Sequence, residues 1–189
     1  MKLDDPRWEG LELPESAGSS LSWLAEIVIR SLGRNDGEWA ERALATELGG
    51  RMQARRGALV DVLEGPGLLA TRKGRPIGLV SWLVSGEAAE VRALVVSADA
   101  RGHGVGRLLV DAAAAALRES GVRRAWLVTT NDNLAALALY QKAGWRLTAL
   151  RRGAIDEVRR TIKPTIPEMG EHGIPLRDEL ELELTLQEL

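Results

Sequence analysis

The chain has 189 residues and a formal net charge of −2, with 25 Lys and Arg against 27 Asp and Glu. This near balance gives no electrostatic reason to expect nucleic acid or an anionic membrane as a partner. The absence of cysteine excludes disulfides, thiolate metal sites and a cysteine nucleophile, and two histidines are too few for a histidine metal site. We therefore predict no metal ion and a single domain over residues 1–189.

The N-terminal residues include acids and lack the apolar core of a signal peptide. No apolar run of the sequence approaches the roughly 18 residues that a transmembrane helix needs. A cytoplasmic protein without a membrane partner is therefore expected.

The first third of the chain is predicted to contain two helices. Residues 1–18 contain proline, glycine and acids and are expected to form an extension or a first strand. A serine cap, apolar residues at helical spacing and a closing glycine predict a helix over 19–33. A second helix is predicted over 37–48, whereas 49–65 stays unassigned because it fits a helix or a strand.

The remainder of the chain alternates strands with helices. Apolar or alternating segments bounded by turn residues predict strands over 68–71, 76–84, 90–96, 125–130, 145–151 and 175–186. Helical spacing of apolar residues predicts one helix from Val105 to a cap at Gly121 and another over 133–143. The connection 153–175 between the last two strands is long, and part of it fits a short helix.

A glycine-rich turn separates the strand at 90–96 from the helix that follows it. Gly102, Gly104 and Gly106 occupy every second position, between Arg101 and Arg107. The first N–H groups of a helix lack partners and carry the positive end of its dipole. Because glycine has no Cβ, an anion can approach these groups closely. The turn predicts a phosphate or pyrophosphate site, unless its glycines only relieve strain in a plain connection.

Other nucleotide-binding signatures fit this turn poorly. The chain has no Gly-x4-Gly-Lys-Ser/Thr segment, which excludes a P-loop. Gly104 and Gly106 begin a Gly-x-Gly-x-x-Gly pattern, but Leu109 stands where a Rossmann turn needs a small residue. An anion-binding α/β domain for another nucleotide remains an alternative.

The glycine turn is also the first of two motifs that resemble those of the GNAT acetyltransferase superfamily. Residues 101–106, Arg-x-x-Gly-x-Gly, are similar to the pyrophosphate loop that binds the diphosphate of acetyl-CoA in that superfamily. Residues 133–145, Asn-x-x-Ala-x-x-Leu-Tyr-x-x-x-Gly-Trp, resemble its helix signature, with Trp145 in place of phenylalanine. The close match covers 90–146, and the order of elements agrees over about 20–150.

The resemblance implies an α/β (α+β) fold with a mixed, twisted and mostly antiparallel sheet flanked by helices. Its fourth and fifth strands are expected to splay apart and to admit the pantetheine arm of acetyl-CoA, the implied cofactor. The residues implied in cofactor binding are Val95 and Val96 by their backbones, Arg101, Gly102, His103, Gly104, Val105, Gly106 and Arg107 around the diphosphate, Asn133 on the arm, and Tyr140 near the sulfur.

The implied activity is transfer of an acetyl group from acetyl-CoA to a primary amine by direct attack. Tyr140, the single tyrosine of the chain, would protonate the leaving thiolate, since a phenol with a pKa near 10 is protonated at neutral pH. Glu90 is the candidate base, with Glu87 as a second choice. The residues alone equally allow Tyr140 to be a packing residue, Asn133 a helix cap and Glu90 the ion-pair partner of Arg92.

The acceptor is expected to be a small-molecule or peptide amine, in a range that includes polyamines, amino acids, aminoglycosides, xenobiotic amines and protein amines. Four acids of the long connection would attract a cationic amine or serve a dimer contact: Asp156, Glu157, Glu168 and Glu171. The resemblance is compatible with a homodimer. The alternative function is an inactive acyl-CoA-binding sensor or interaction protein of the same fold, which would bind CoA without turnover.

Overall fold

The computed structural model describes residues 23–186. Nine strands lie at β1 Ile27–Ser31, β2 Met52–Arg55, β3 Ala58–Asp61, β4 Gly67–Arg72, β5 Arg75–Ser85, β6 Ala88–Val96, β7 Arg124–Thr130, β8 Arg146–Arg151 and β9 Glu179–Thr185. The helices of eight or more residues are α1 Gly37–Leu48, α2 Val105–Glu119, α3 Leu134–Lys142 and α4 Ala154–Thr161. No helix in this part of the chain is long and apolar enough to cross a membrane.

Seven of the strands form one sheet in the order β1-β4-β5-β6-β7-β9-β8, and β2 and β3 form a separate hairpin. Every pair in the large sheet is antiparallel except β6 with β7, which is parallel. This parallel pairing is confined to the start of the strands, from Ala88 opposite Arg124 to Glu90 opposite Trp126. Beyond Glu90 the two strands separate. The mixed, mostly antiparallel sheet with splayed central strands is thus confirmed.

A β-bulge in β6 lies directly after the last residue pair with β7. Val91 pairs with Trp82 and Ala93 with Ser81, so Arg92 is an extra residue on β6. A bulge bends its strand and increases the local twist. It also changes the face to which the following side chains point: Val91 joins the core under α2 and α3, whereas Ala93 and Val95 join the core beside α1. The sheet is therefore covered on both faces.

The prediction of a helix over 19–33 is wrong in the described part of that stretch. Residues 27–31 form β1, an edge strand antiparallel to β4, and only 23–25 are helical. The consecutive Ile27, Val28 and Ile29 favour an extended chain, and pairing with a distant strand outweighs the local helical spacing of the neighbouring leucines. The predictions for 1–18, and the cap expected at 19 or 20, lie outside the described residues.

The unassigned stretch 49–65 contains the β2–β3 hairpin. Its two turn residues, Arg56 and Gly57, have φ values of 50° and 75°, the backbone signs of a type I′ turn. The hairpin is attached to its surroundings by side chains: Gln53 donates to the Leu48 carbonyl at 2.8 Å and Lys163 donates to the Met52 carbonyl at 3.0 Å. A two-stranded ribbon is marginal alone, so these attachments hold it in place.

The remaining elements follow the sequence closely. The helices predicted over 37–48, 105–120 and 133–143 are α1, α2 and α3, and the short helix expected in the long connection is α4. The final strand is shorter than predicted, because β9 begins at Glu179. Pro175 instead bridges to Met169 within the connection, which removes the first residues of the alternating stretch from the sheet.

An ion pair near the start of α1 leads to a prediction about acid stability. Both guanidinium NH2 groups of Arg30 donate to the carboxylate of Asp36 at 2.7 Å, and the Gly33 N–H donates to the same group at 2.8 Å. These bonds lower the pKa of Asp36 from 3.8 to about 2, with the Arg30 hydrogen bond as the largest cause. The stabilisation is therefore complete above about pH 4 and is lost as the pH falls towards 2.

We expect Asp36→Asn to lower the free energy of unfolding by about 1 kcal/mol at pH 7, and we expect this difference to shrink steadily as the pH falls from 4 towards and below about 2. Urea unfolding of the variant and the parent at several pH values measures this. Glu38→Gln is the control, because Glu38 is far more exposed in its pair with Arg42. A stability difference that is independent of pH would contradict the prediction.

Candidate active site

The separation of β6 and β7 opens a cleft of about 600 Å³. The end of β6 and the middle of β7 form its two sides, and the glycine turn, α3 and the hairpin complete its wall. Val95 and Val96, predicted to contact a cofactor through their backbones, both line it. Their strand is paired with β5 on one edge only at this level. The other backbone edge therefore faces the cleft and has no strand partner among residues 23–186.

The glycine turn lies at one end of this cleft and leads into α2. Gly102 and Gly104 have φ values of 76° and 83°, which residues with a Cβ rarely adopt. Gly104 precedes the first helical residue, and the first bond of the helix runs from the Leu108 N–H to the Gly104 carbonyl at 3.0 Å. The amides between them have no helical acceptor. They lie at the place where the sequence predicts an anion cradle, and Gly102, Gly104, Val105 and Gly106 line the cleft there.

Gly106 has a different physical role from the first two glycines. A Cβ at this position would lie 3.3 Å from Cδ2 of Leu139 and 3.7 Å from Cγ2 of Val96. The missing side chain therefore lets the first turn of α2 approach both β6 and α3. This close approach brings the helix N-terminus to the end of the cleft.

Both arginines that flank the turn line the cleft. Arg101 donates from Nε to the Val96 carbonyl at 3.1 Å and forms an ion pair with Glu47 at the end of α1. Arg107 donates to Asp111 at 2.7 Å and to the Lys142 carbonyl at 2.9 Å. The cleft end thus carries two guanidinium groups, each paired with a carboxylate, and Glu47 and Asp111 would compete with an anionic ligand for Arg101 and Arg107 respectively.

This competition predicts that Glu47→Gln tightens the binding of CoA by about two- to fivefold, the value of one exposed ion pair. Isothermal titration of CoA into the variant and the parent tests it. Glu41→Gln is the matched control, because Glu41 is on the same helix but pairs with Arg51 at 3.2 Å. Weaker binding to the Glu47 variant would show that the ion pair instead prepares Arg101 for its ligand.

The structure does not place the side chain of His103 in the cleft, where the sequence predicts a contact with the diphosphate. Its ring stacks on Trp23 with centroids 4.2 Å apart, and its Nδ1 lies 2.8 Å from the Arg101 carbonyl oxygen. The side chain is not among those that line the cleft.

Asn133 both caps a helix and lines the cleft. Its Oδ1 accepts the Ala136 N–H at 3.0 Å as the N-cap of α3. The side-chain amide NH2 takes no part in this cap and stays available to a ligand. The capping role and the binding role considered from the sequence are thus compatible in one residue.

Tyr140 lies on the wall of the cleft and is only 5% exposed. Its ring packs edge-on against Trp145, with centroids 5.3 Å apart. The hydroxyl forms no hydrogen bond with another residue of 23–186. Burial raises the pKa of Tyr140 well above the usual value, while the positive charge of Arg55 acts in the opposite direction. The phenol is therefore held protonated at neutral pH.

The structure pairs Glu90 with Arg92. Oε2 of Glu90 accepts from Nε of Arg92 at 3.0 Å, and Arg92 also donates to Glu64 at 2.8 Å. Oε1 of Glu90 is buried and has no hydrogen-bond partner among the described residues. The carboxylate does not line the cleft. Glu87, the second candidate base, pairs with Arg123 at 3.4 Å on the surface.

Sequence analysis missed Arg55, which lies at the end of β2. Its side chain enters the gap between the splayed strands and donates to the Val128 carbonyl of β7 at 2.8 Å and to the Arg92 carbonyl of β6. It lines the same cleft as Tyr140. No sequence signal indicated this residue, because the hairpin that carries it was unassigned.

The long connection after α4 is fastened to the start of α3 by two side chains. Asn131 accepts the backbone N–H groups of Arg177 and Asp178, each at 3.0 Å, and Asp132 accepts that of Glu171 at 2.9 Å. Of the four acids proposed to attract an amine, only Glu171 lines the cleft. The fastening explains why this residue reaches it.

Residues 37–145 match the family model described as the acetyltransferase (GNAT) family. A curated relative, the uncharacterized protein YxbD of Bacillus subtilis, is 38% identical over 129 residues, which cover 67% of this chain and 77% of the relative. A shorter match of 56 residues, 43% identical, links 30% of the chain to 18% of a mycothiol acetyltransferase of Geodermatophilus obscurus.

Solved structures of acetyltransferases share the fold. A Bacillus subtilis acetyltransferase in complex with CoA superposes with a TM-score of 0.67 at 22% identity, covering 85% of this chain and 99% of that one. A GNAT family acetyltransferase of Elizabethkingia anophelis with acetyl-CoA bound gives 0.60 at 19% identity, covering 85% and 98%. Together with the family match across the cleft-forming segment, this likeness leads to one conclusion: the chain belongs to the acetyltransferase (GNAT) family.

Proposed function

We propose that this protein transfers the acetyl group of acetyl-CoA to a primary amine. The observation that carries the proposal is the cleft between β6 and β7, which has an anion cradle at one end and the protonated phenol of Tyr140 on its wall. A family match alone leaves the reaction open, because one fold supports many functions. The cleft adds the groups that this particular reaction needs.

The residues of the cleft fit acetyl-CoA. Amides of the first turn of α2, with Arg101 and Arg107, would hold the diphosphate. The unpaired backbone edge at Val95 and Val96 would hydrogen-bond to the pantetheine amides, as a strand does. The free amide NH2 of Asn133 would reach the same arm from the opposite wall.

Acetyl-CoA supplies an acetyl thioester, which a neutral amine can attack with departure of the CoA thiol. Tyr140 is the proposed general acid, because its buried phenol keeps its proton at neutral pH. Glu90, paired with Arg92, is the proposed base; because it does not line the cleft, it would receive the amine proton through intervening water. Glu171 is proposed to attract the amine, because it is the one residue among the long connection's four candidate acids that lines the cleft.

The proposal is tested by titrating the purified protein with acetyl-CoA, CoA and ADP and then assaying transfer to a panel of amines. Binding of acetyl-CoA that is lost in an Arg101→Glu/Gly104→Glu variant, followed by amine acetylation, would support it. Binding of CoA without turnover on any amine would favour the alternative, an acyl-CoA-binding protein without transfer activity. Equal binding of ADP and CoA would favour an anion-binding domain for another nucleotide.

A further inference from the structure

We propose that Arg55 is a positioning residue for the transfer reaction. Its guanidinium is fixed between the separated strands β6 and β7. There it stabilises the negative charge that forms on Tyr140 when the phenol gives up its proton. This inference rests on the proposed function. It assigns a purpose to a hairpin residue that lies outside both motifs of the sequence.

The position of Arg55 is set by two backbone carbonyls. One belongs to Val128 of β7 and the other to Arg92 at the bulge of β6. These carbonyls belong to β6 and β7 beyond the point where the two strands pair. The guanidinium therefore bridges the strands where backbone hydrogen bonds between them have ended. It is therefore held at the base of the cleft that Tyr140 also lines.

The charge of Arg55 is also uncompensated by direct contact. Within 23–186 it forms no salt bridge, whereas Arg92 beside it is paired with Glu90 at 3.0 Å and Glu64 at 2.8 Å. Nε of Arg55 is buried and has no hydrogen-bond partner in the described part of the chain. Two carbonyl bonds hold the group without neutralising it, so its charge remains available to an anion nearby.

A nearby positive charge would favour the ionisation of Tyr140 that the reaction requires. A buried phenol resists ionisation because the phenolate would lose its hydration. Burial lowers the pKa of the Arg55 guanidinium, and the charge of Arg92 on β6 acts in the same direction. Glu90 on β6 and Glu179 on β9 act in the opposite direction, as an ionised Tyr140 on α3 would. The two carboxylates favour a charged guanidinium, and the field of that guanidinium in turn favours the phenolate. Arg55 and Tyr140 therefore act as one electrostatic unit.

The proton and bond changes balance without a further reactant. The amine nitrogen forms a bond to the acetyl carbon, the carbon–sulfur bond breaks, and the phenol proton passes to the sulfur. The amine proton leaves through the base, and the Tyr140 phenolate regains a proton from solvent. Arg55 transfers no proton or other group. It lowers the free energy of the state in which Tyr140 is ionised.

The test uses the fact that the chain contains one tyrosine. Biosynthetic replacement of tyrosine by a fluorotyrosine labels position 140 alone, and fluorination brings the phenol ionisation into a measurable pH range. Its acid dissociation is followed by ¹⁹F NMR in the parent, Arg55→Met, Arg55→Lys and Arg51→Met. Arg51 is the matched control, because it removes the same charge from a residue just before β2 that pairs with Asp61 at 2.6 Å.

We expect Arg55→Met to weaken acid dissociation of the phenol by about tenfold, Arg55→Lys to restore most of it, and Arg51→Met to leave it unchanged. In acetyl transfer, Arg55→Met should lower kcat with little change in the Kd of CoA. In the double variant with Tyr140→Phe, Arg55→Met should cause no further loss of kcat, because the two residues act as a unit.

Unchanged phenol ionisation in Arg55→Met, or an equal change in Arg51→Met, would overturn the proposal for Arg55. The ionisation and acetylation measurements together distinguish failure of the proposal for Arg55 from failure of the proposed function. Amine acetylation with unchanged ionisation leaves the enzyme proposal intact and removes Arg55 from it. Altered ionisation in a protein that acetylates no amine removes the enzyme proposal, and with it the role of Arg55 in transfer, while the pairing of charge and phenol stands.

Discussion

Tyr140→Phe is expected to lower kcat for acetyl transfer by about 100-fold or more, the usual contribution of a general acid. The substitution removes one oxygen that forms no hydrogen bond with the rest of 23–186, so no partner is left unsatisfied by the change. The ring keeps its edge-on contact with Trp145. Affinity for CoA and thermal stability should therefore change little, while steady-state kinetics measures the loss.

The pH dependence of kcat gives an independent check on Tyr140. Because burial raises the pKa of this phenol, its ionisation should cause no loss of activity at alkaline pH up to about 10, the ordinary pKa of tyrosine. Retention of full kcat in Tyr140→Phe would return the residue to the packing role that the sequence also allowed. A fall in CoA affinity as large as the fall in kcat would argue for binding rather than acid catalysis.

Gly102→Glu is expected to weaken CoA binding by about 100-fold, corresponding to about 2.7 kcal/mol. A Cβ at this position meets nothing of the described protein within 4 Å, so the side chain would project into free space beside the anion cradle. There its carboxylate repels a diphosphate and occupies the approach to the first amides of α2. Isothermal titration with CoA measures the loss.

The matched control for this substitution is Gly121→Glu at the other end of α2. Gly102 and Gly121 have φ values of 76° and 79°, and both would place a Cβ in open space. The two variants should therefore carry similar backbone strain and similar losses of stability. Only the first should lose CoA. Parallel losses of affinity in both would show that strain, and not the position of the cradle, is responsible.

Local patterns were sufficient to predict the elements that carry their own signals. The helix α2 has apolar residues on one face, a glycine turn before it and Gly121 after it, so nearest neighbours in sequence determine both ends. The conformation of strand β1, in contrast, is not determined by its nearest neighbours in sequence. Its residues 27–31 sit between Leu24 and Leu32 at helical spacing, and the extended preference of Ile27, Val28 and Ile29 prevails through pairing with β4, some forty residues later. Such long-range pairing leaves no local trace in one sequence.

The same difference separates the parts of the site. The glycine turn, Asn133 and Tyr140 belong to contiguous motifs, and all of them line the cleft. Arg55 and Glu171 reach the cleft through contacts between distant segments, namely carbonyls of β6 and β7 for the first and the Asp132 carboxylate for the second. Neither contact has a spacing rule, so neither residue could be singled out as part of the cleft from the sequence.

The tip of the hairpin is attached to the sheet by side chains, through Arg55 to carbonyls of β6 and β7 and through Arg56 to the buried Glu179 and Glu181 of β9. The machinery proposed to hold the donor is encoded mostly in one continuous stretch, from β6 to α3, whereas Arg55 and Glu171 come to the cleft from the hairpin and the long connection. The hairpin is a separate ribbon outside the seven-stranded sheet. Substitutions of its exposed residues should therefore leave the pairing of the large sheet unchanged.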